Sequence, residues 1–171
     1  MLGQMMDMPL LVSSILRHAA RHFGETEVVS RRVEGDLHRY SYARCEERAR
    51  QLASALEGAG IRVGDRVASI AWNGYRHLEL YYGVGGMGAV IHTINPRLHP
   101  EQIAWILNHA EDRIVAFDAT FLPIVEAIAS KCPHVRLWLA MVDADRQPAG
   151  GKVEGLANYE TFLEGGDTDW R

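Results

Sequence analysis

The residues most suggestive of chemistry are the glycines of segment 83–88, which reads G-V-G-G-M-G and fits the pattern G-x-G-x-x-G. In a dinucleotide site, such glycines follow a strand and open a helix whose N-terminal N–H groups face the pyrophosphate. Here a helical pattern comes first and a strand pattern follows, and Asn108 stands about 20 residues on, where an acidic residue is expected. This order favours glycines that let a helix pack closely. A stand-alone nicotinamide-dinucleotide-binding α/β domain stays open as the alternative.

The histidines and nucleophiles offer no convincing site. Of the 8 histidines, His18 and His22 are four residues apart and would share a helix face, but no third metal ligand is apparent. The serines lack the G-x-S-x-G context of a nucleophile elbow. Cys45 lies on the apolar face of a predicted helix and Cys132 at a helix end, so both indicate packing rather than a reactive thiolate. The sequence therefore assigns no catalytic and no metal-binding residue.

Charge and hydropathy exclude several classes of partner. The net charge is −4 and Arg31–Arg32 is the densest basic spot, so a nucleic-acid partner is not expected. No run approaches the ~18 apolar residues of a membrane span, and residues 1–11 lack the basic start of a signal peptide. Two distant cysteines indicate a reducing compartment, so we expect a cytoplasmic protein. No Ser/Thr/Gly-rich phosphate loop followed by lysine occurs in the sequence.

The alternation of strand and helix patterns predicts an α/β fold with a mainly parallel sheet and flanking helices. A helix at 12–23, which Ser13 or Ser14 could cap, and a β-hairpin at 27–40 come first. A helix capped by Ser41 follows. The remaining pattern predicts strands at 66–72, 89–94, 113–117 and 135–142, separated by helices at 75–87, 100–110 and 121–131.

This pattern divides the chain into three parts. Residues 1–40 hold the first helix and the hairpin, and residues 41–142 form the α/β subdomain. Residues 143–171 are expected to be a loop and linker with one short helix at 158–164. The polar end of this segment favours continuation into downstream domains that the chain does not include.

Seven short segments together resemble one family. They are 40–42 (YSY), 52–56 (LASAL), 60–68 (GIRVGDRVA), 72–73 (WN), 86–90 (GMGAV), 93–98 (TINPRL) and 103–110 (IAWILNHA). In this order and spacing they resemble the start of the AMP-forming acyl-CoA synthetases of the adenylate-forming superfamily, most closely the medium- and long-chain fatty acid–CoA ligases. The resemblance covers residues 10–142, which is most of the chain.

The resemblance implies a two-step reaction in a complete enzyme that uses a fatty acid, ATP, Mg²⁺ and CoA. A carboxylate attacks the α-phosphate of ATP, which gives an acyl-adenylate and pyrophosphate, and CoA then displaces AMP. The family's phosphate loop, nucleotide contacts, hinge and catalytic lysine belong downstream of this segment. The resemblance therefore implies a truncated N-terminal part that binds no cofactor and is catalytically inactive by itself. A stand-alone interaction protein derived from such a ligase is a second alternative.

The resemblance also suggests one binding segment. In related enzymes the loop after the second strand of the subdomain lies near the CoA channel, and here that loop is Asn95, Pro96 and Arg97. A plain strand-to-helix connection is the competing interpretation. Some relatives use this subdomain in dimer contacts, and uncovered apolar surface would favour a homo-oligomer here as well.

Overall fold

The computed structural model describes residues 7–149, 151 and 153–170. Residues 1–6, which belong to the segment considered above as a signal peptide, and residues 150, 152 and 171 of the predicted linker lie outside the described residues. The helices are α1 (Val12–Phe23), α2 (Tyr42–Gly58), α3 (Tyr75–Gly86), α4 (Pro100–Ala110), α5 (Leu122–Ile128) and α6 (Tyr159–Glu164). The strands are β1 (Glu27–Arg31), β2 (Leu37–Ser41), β3 (Arg66–Ile70), β4 (Val90–Thr93), β5 (Ile114–Phe117), β6 (Leu137–Ala140) and β7 (Leu156–Asn158).

Five of these strands form a parallel sheet in the order β4-β3-β5-β6-β7, whereas β1 and β2 form a separate antiparallel hairpin. The register pairs Ala68 of β3 with His92 of β4 on one side and with Val115 of β5 on the other. Parallel neighbours need crossover connections, which α3, α4 and α5 supply. The predicted α/β fold, with a mainly parallel sheet, flanking helices and a leading helix and hairpin, is confirmed.

Two apolar cores cover the two faces of the sheet. On one face, Phe117 packs with residues of α4 and α5, and on the other face, Ala116 packs with residues of α2, α3 and α6. All four residues of β5 are buried as a result. Burial on both faces explains why the strand patterns are continuously apolar rather than alternating.

The helix starts follow local hydrogen bonding. Ser41 caps α2 as predicted, because its Oγ accepts a hydrogen bond from the Arg44 N–H at 3.3 Å. The predicted cap of α1 is wrong, since Leu11 rather than Ser13 or Ser14 holds the N-cap position. The Ser14 hydroxyl instead donates to the Leu11 carbonyl at 2.6 Å. A serine one turn into a helix satisfies a carbonyl and leaves the first N–H groups uncapped.

The segment after residue 142 contains a strand that the sequence analysis placed in a loop and linker. β7 extends the sheet beside β6, where Ala157 pairs with Leu139, and α6 follows it close to the predicted short helix. Tyr159 is fully buried in the core, so residues 156–164 are part of the packed layer rather than a linker. A strand of three residues is too short to be recognised in the sequence from its apolar periodicity. Gly155, at φ +72°, brings the chain against the Arg136 carbonyl.

Candidate functional site

The strand order places a topological switch point between β3 and β5. The chain leaves β3 through α3 toward β4 on one side, and it leaves β5 through α5 toward β6 on the other. In open α/β sheets, ligands bind at the carboxyl ends of the strands at such a point. Here that edge holds a cavity of about 30 Å³, hereafter the switch-point cavity, lined by residues 30–34 of the hairpin, residues 72–77 and Asp118. Its volume is enough for a water molecule.

Asp118 is the carboxylate of the switch-point cavity, and it follows β5 directly. It is 8% exposed, and its Oδ2 accepts a hydrogen bond from the Trp72 N–H at 2.6 Å. Burial raises the pKa of Asp118 to about 6, although the Trp72 hydrogen bond and the charge of Arg76 act in the opposite direction. Asp118 is therefore close to its titration point near neutral pH, which is common among functional carboxylates.

His77 lies on the first turn of α3 and lines the same cavity. Its Nδ1 lies 3.1 Å from the Trp72 carbonyl oxygen and its Nε2 lies 3.0 Å from the Ser69 hydroxyl. Burial lowers the pKa of His77, so the ring is neutral at pH 7. A carbonyl can only accept, so Nδ1 carries the proton and Nε2 accepts from Ser69. Both nitrogens are engaged, and His77 holds the β3–α3 turn rather than offering a free base.

A group of charged side chains, hereafter the arginine cluster, adjoins the switch-point cavity. Its members are Arg48, Arg76, Glu79, Asp143 and Glu160. The Arg76 side chain is only 5% exposed, and it donates to Glu34 at 2.8 Å, to Asp143 at 2.6 Å and to Glu160 at 2.7 Å. These bonds join α3 to the hairpin, to the end of β6 and to α6. The cluster therefore fixes the segments that surround the carboxyl edge of the sheet.

Arg48 of α2 holds the most deeply buried acid of the arginine cluster. It donates two hydrogen bonds to Glu79, at 2.7 and 3.1 Å, and the Tyr159 hydroxyl donates a third at 2.9 Å. Burial raises the pKa of Glu79, and Arg48 and Tyr159 oppose that effect. Burial also acts against ionised Glu160, but Arg48 and Arg76 hold its pKa below the usual value. All four carboxylate oxygens are hydrogen-bonded, so these acids are structural rather than free to transfer protons.

Sequence reasoning missed the arginine cluster. The only local signal is in α3, where Arg76 and Glu79 stand three residues apart in a mostly apolar helix that faces the sheet. The partners of Arg48 lie 31 and 112 positions along the chain, so no spacing within an element reveals the cluster.

A third buried acid, Asp112, precedes β5 at the opposite, amino edge of the sheet. Asp112 is fully buried, and its Oδ2 lies 2.8 Å from Nδ1 of His92. Its Oδ1 has no hydrogen-bond partner among the residues that the structure describes. Burial raises the pKa of Asp112, and His92 acts against it. No arginine bonds directly to this acid within the described part of the chain.

The predicted binding segment follows the carboxyl end of β4, which is an edge strand of the sheet. Asn95 and Arg97 are exposed and Pro96 is half-buried. The Oδ1 of Asn95 accepts a hydrogen bond from the Arg97 N–H at 3.0 Å, which forms a compact turn. The three residues therefore share an edge with Trp72 and Asp118 but do not line the switch-point cavity.

The glycine segment packs as its order of elements predicted. It spans the end of α3 and the turn before β4. A Cβ at Gly83 would lie 2.9 Å from both the Ala49 carbonyl oxygen and a Leu52 methyl group, so the glycine lets α3 approach α2 closely. The N–H groups at the start of a helix, which a pyrophosphate would need, lie at Tyr75, about three turns away.

The remaining candidates are two cysteines and a pair of histidines. Cys45 and Cys132 are buried free thiols, and burial raises the pKa of each to about 11. The rings of His18 and His22 lie 4.5 Å apart on α1. Within residues 7–149, 151 and 153–170, histidine, cysteine and acidic side chains form no group of three that could hold a metal ion. None of the described helices is both long and apolar enough to cross a bilayer.

Comparison with known proteins gives consistent matches. Residues 16–161 match the family of AMP-binding enzymes. The chain is 51% identical to 3-methylmercaptopropionyl-CoA ligase of Ruegeria pomeroyi over 99% of its own length and 32% of the relative. It is 46% identical to the medium-chain-fatty-acid–CoA ligase of Ectopseudomonas oleovorans over 99% of its own length and 31% of the relative. The chain thus spans about a third of the length of these relatives.

The fold has a counterpart among solved structures. An anthranilate CoA ligase in complex with anthranoyl-AMP superposes with a TM-score of 0.79, over 96% of this chain and 30% of that chain. The sequence identity is 20%, so this likeness concerns the fold alone.

Proposed function

Because the chain belongs to the AMP-binding enzyme family, we propose that it is the N-terminal part of an ATP-dependent acid–CoA ligase that acts on an aliphatic carboxylic acid. In the complete enzyme the carboxylate attacks the α-phosphate of Mg²⁺-bound ATP and releases pyrophosphate, and the CoA thiol then displaces AMP to form the thioester. The family match over residues 16–161 supports this most directly. The names of the relatives at 51% and 46% identity support an aliphatic acid as substrate and CoA as its acceptor.

Within that enzyme, this chain is a scaffold without catalytic residues of its own. Two buried side chains that line the switch-point cavity are used in structural bonds: Arg76 joins three elements, and both nitrogens of His77 are engaged. We therefore assign the chemical steps to parts of the ligase outside this chain. We also propose that the enzyme is cytoplasmic, because Cys45 and Cys132 are free thiols.

A chimera tests this proposal. The chain replaces the matching N-terminal third of the Ruegeria pomeroyi ligase, and thioester formation from 3-methylmercaptopropionate, ATP and CoA is measured. We expect activity within about tenfold of the parent enzyme, because 51% identity preserves the fold of the exchanged part. A chimera that folds but forms no acyl-adenylate would favour a stand-alone interaction protein instead.

Asn95, Pro96 and Arg97 are our proposed contact with CoA. Arg97 is exposed at the carboxyl edge, and a guanidinium there suits a phosphate of CoA. In the active chimera, Arg97→Ala should raise the KM for CoA about three- to tenfold and leave the KM for ATP unchanged. Arg136→Ala, an exposed arginine before β6, is the matched control. An unchanged KM for CoA would identify the loop as a plain connection.

The chain by itself distinguishes two further possibilities. Calorimetric titration of the 171-residue chain with ATP·Mg²⁺ and NAD should give no heat of binding under the scaffold proposal. Binding of NAD would instead support the nicotinamide-binding alternative. We also propose self-association, because Leu10, Val12, Ile15 and Phe23 of the α1 region and Trp105 of α4 are exposed. A strictly monomeric species in sedimentation at high concentration would contradict it.

A further inference from the structure

A second cavity lies between the helices on one side of the sheet. It has a volume of about 170 Å³ and is bounded by α1, α2, α3 and Trp170. It shares no lining residue with the switch-point cavity. An apolar cavity of about 150 Å³ can hold benzene, so this cavity has room for an apolar group of about six carbons.

The wall of this cavity is apolar and already buried. Leu16 of α1 and Ala49 and Ala53 of α2 are at most 5% exposed, and the half-buried Tyr82 of α3 completes the apolar surface. The cavity exists because the side chains of Ala49 and Ala53 are too short to fill the gap between α2 and α1. Filling such a space with a ligand gains apolar contacts that the empty protein lacks.

The rim of the cavity is basic on the α1 side. The guanidinium of Arg17 is exposed and lies 3.5 Å from the Ser13 hydroxyl, and no carboxylate pairs with it among the described residues. Arg50, also on the rim, is bonded to Glu46 at 3.0 Å. Arg17 is therefore the cation on this rim that a ligand can reach without displacing a described protein carboxylate.

We propose that this cavity binds a carboxylic acid with an unbranched or cyclic apolar group of about six carbons. The apolar group lies against Leu16, Ala49 and Ala53, and the carboxylate pairs with Arg17 at the rim. This is an accessory site of the 171-residue chain itself. It does not depend on the ligase proposal, because its walls and its cation all belong to the described chain.

An NMR titration of the ¹⁵N-labelled chain with hexanoate tests this. Hexanol and hexylammonium, titrated in parallel at constant ionic strength, separate the apolar contribution from the charge. We expect hexanoate to shift the backbone amides of α1 and α2 that line the cavity and the Trp170 indole, and to bind more tightly than either analogue. Shifts scattered over the surface, or tighter binding of hexylammonium, would overturn the proposal.

Two pairs of variants define the site. Arg17→Gln should weaken hexanoate about threefold, as expected for an exposed ion pair, and leave hexanol unchanged. Arg21→Gln, one turn further along α1 and outside the cavity lining, should match the parent chain. Ala53→Leu should abolish binding of both ligands by filling the cavity. Gly86→Ala, whose new Cβ would meet only the Ser13 Cβ at 3.8 Å, should weaken both without a folding defect. Unchanged affinity in Arg17→Gln or in Gly86→Ala would contradict the site.

Discussion

The arginine cluster and the switch-point cavity lie side by side at the carboxyl edge, and they treat a buried carboxylate in opposite ways. Glu79, in the arginine cluster, is fully buried and receives two hydrogen bonds from Arg48 and one from Tyr159. Asp118, in the switch-point cavity, is nearly as buried but receives a single backbone hydrogen bond from Trp72. The first acid has a permanent cation in contact with it, and the second has none.

Because of this difference, we expect the two regions to affect the stability of the fold in different ways. A buried ion pair adds little net stability over an apolar pair, but it becomes costly when one partner is removed, because a charge is then left unpaired. A buried acid without a cation shifts its pKa instead, so its cost to stability depends on pH. The arginine cluster should therefore respond strongly to mutation, and the switch-point cavity should respond to pH.

The largest expected effect is the loss of Arg48. Arg48→Met leaves Glu79 buried with only the Tyr159 hydroxyl, and we expect the free energy of unfolding to fall by about 3–5 kcal/mol. Urea denaturation monitored by tryptophan fluorescence measures this. Arg44→Met, on an exposed pair with Glu47 at 2.6 Å, should cost less than about 1 kcal/mol. If both variants lose the same free energy of unfolding, then burial of Glu79 does not make its ion pair more important for stability than an exposed pair.

The next effect has the opposite sign. The folded pKa of Asp118 is about 6, above its ordinary value of 3.8, so the folded state binds more protons in that range and stability falls as pH rises through it. Asp118→Asn removes this loss and should raise the free energy of unfolding by up to about 3 kcal/mol above pH 6. The gain should shrink as pH falls from about 6 toward about 4 and disappear below about pH 3, where Asp118 is protonated in both states.

Denaturation of both chains across this pH range provides the measurement. Asn retains an oxygen that can accept from the Trp72 N–H, so the variant changes the charge and keeps the hydrogen bond. Asp118→Leu is the control, because it removes the charge and also leaves the Trp72 N–H without its acceptor. A gain for Asp118→Asn that does not vary with pH would show that the charge of Asp118 is not its cause.

The helices and strands of this fold could be predicted from the sequence where the apolar periodicity and the residues at the ends of an element agreed. α4 was predicted with its observed bounds because Pro100 marks the first turn and the apolar pattern stops at Ala110. β7 was missed because it has three residues, and its place beside β6 depends on the turn at Gly155. The arginine cluster was missed for a different reason: Arg48 and Glu160 are 112 positions apart, and only the sheet order brings them together.

The smallest of the three effects concerns Asp112, which stands between the two cases because its partner is a histidine. His92→Leu removes the hydrogen bond at 2.8 Å and leaves a second oxygen of Asp112 unsatisfied, at an expected cost of about 2 kcal/mol. The loss should be smaller in acid, because a protonated Asp112 is less costly to bury. His134→Leu, exposed in the loop before β6, should have little effect on stability. If His92→Leu lowers the free energy of unfolding as much as Arg48→Met does, then a histidine stabilises a buried carboxylate as well as an arginine does. Burial alone, rather than contact with a permanent cation, would then distinguish the arginine cluster from the switch-point cavity.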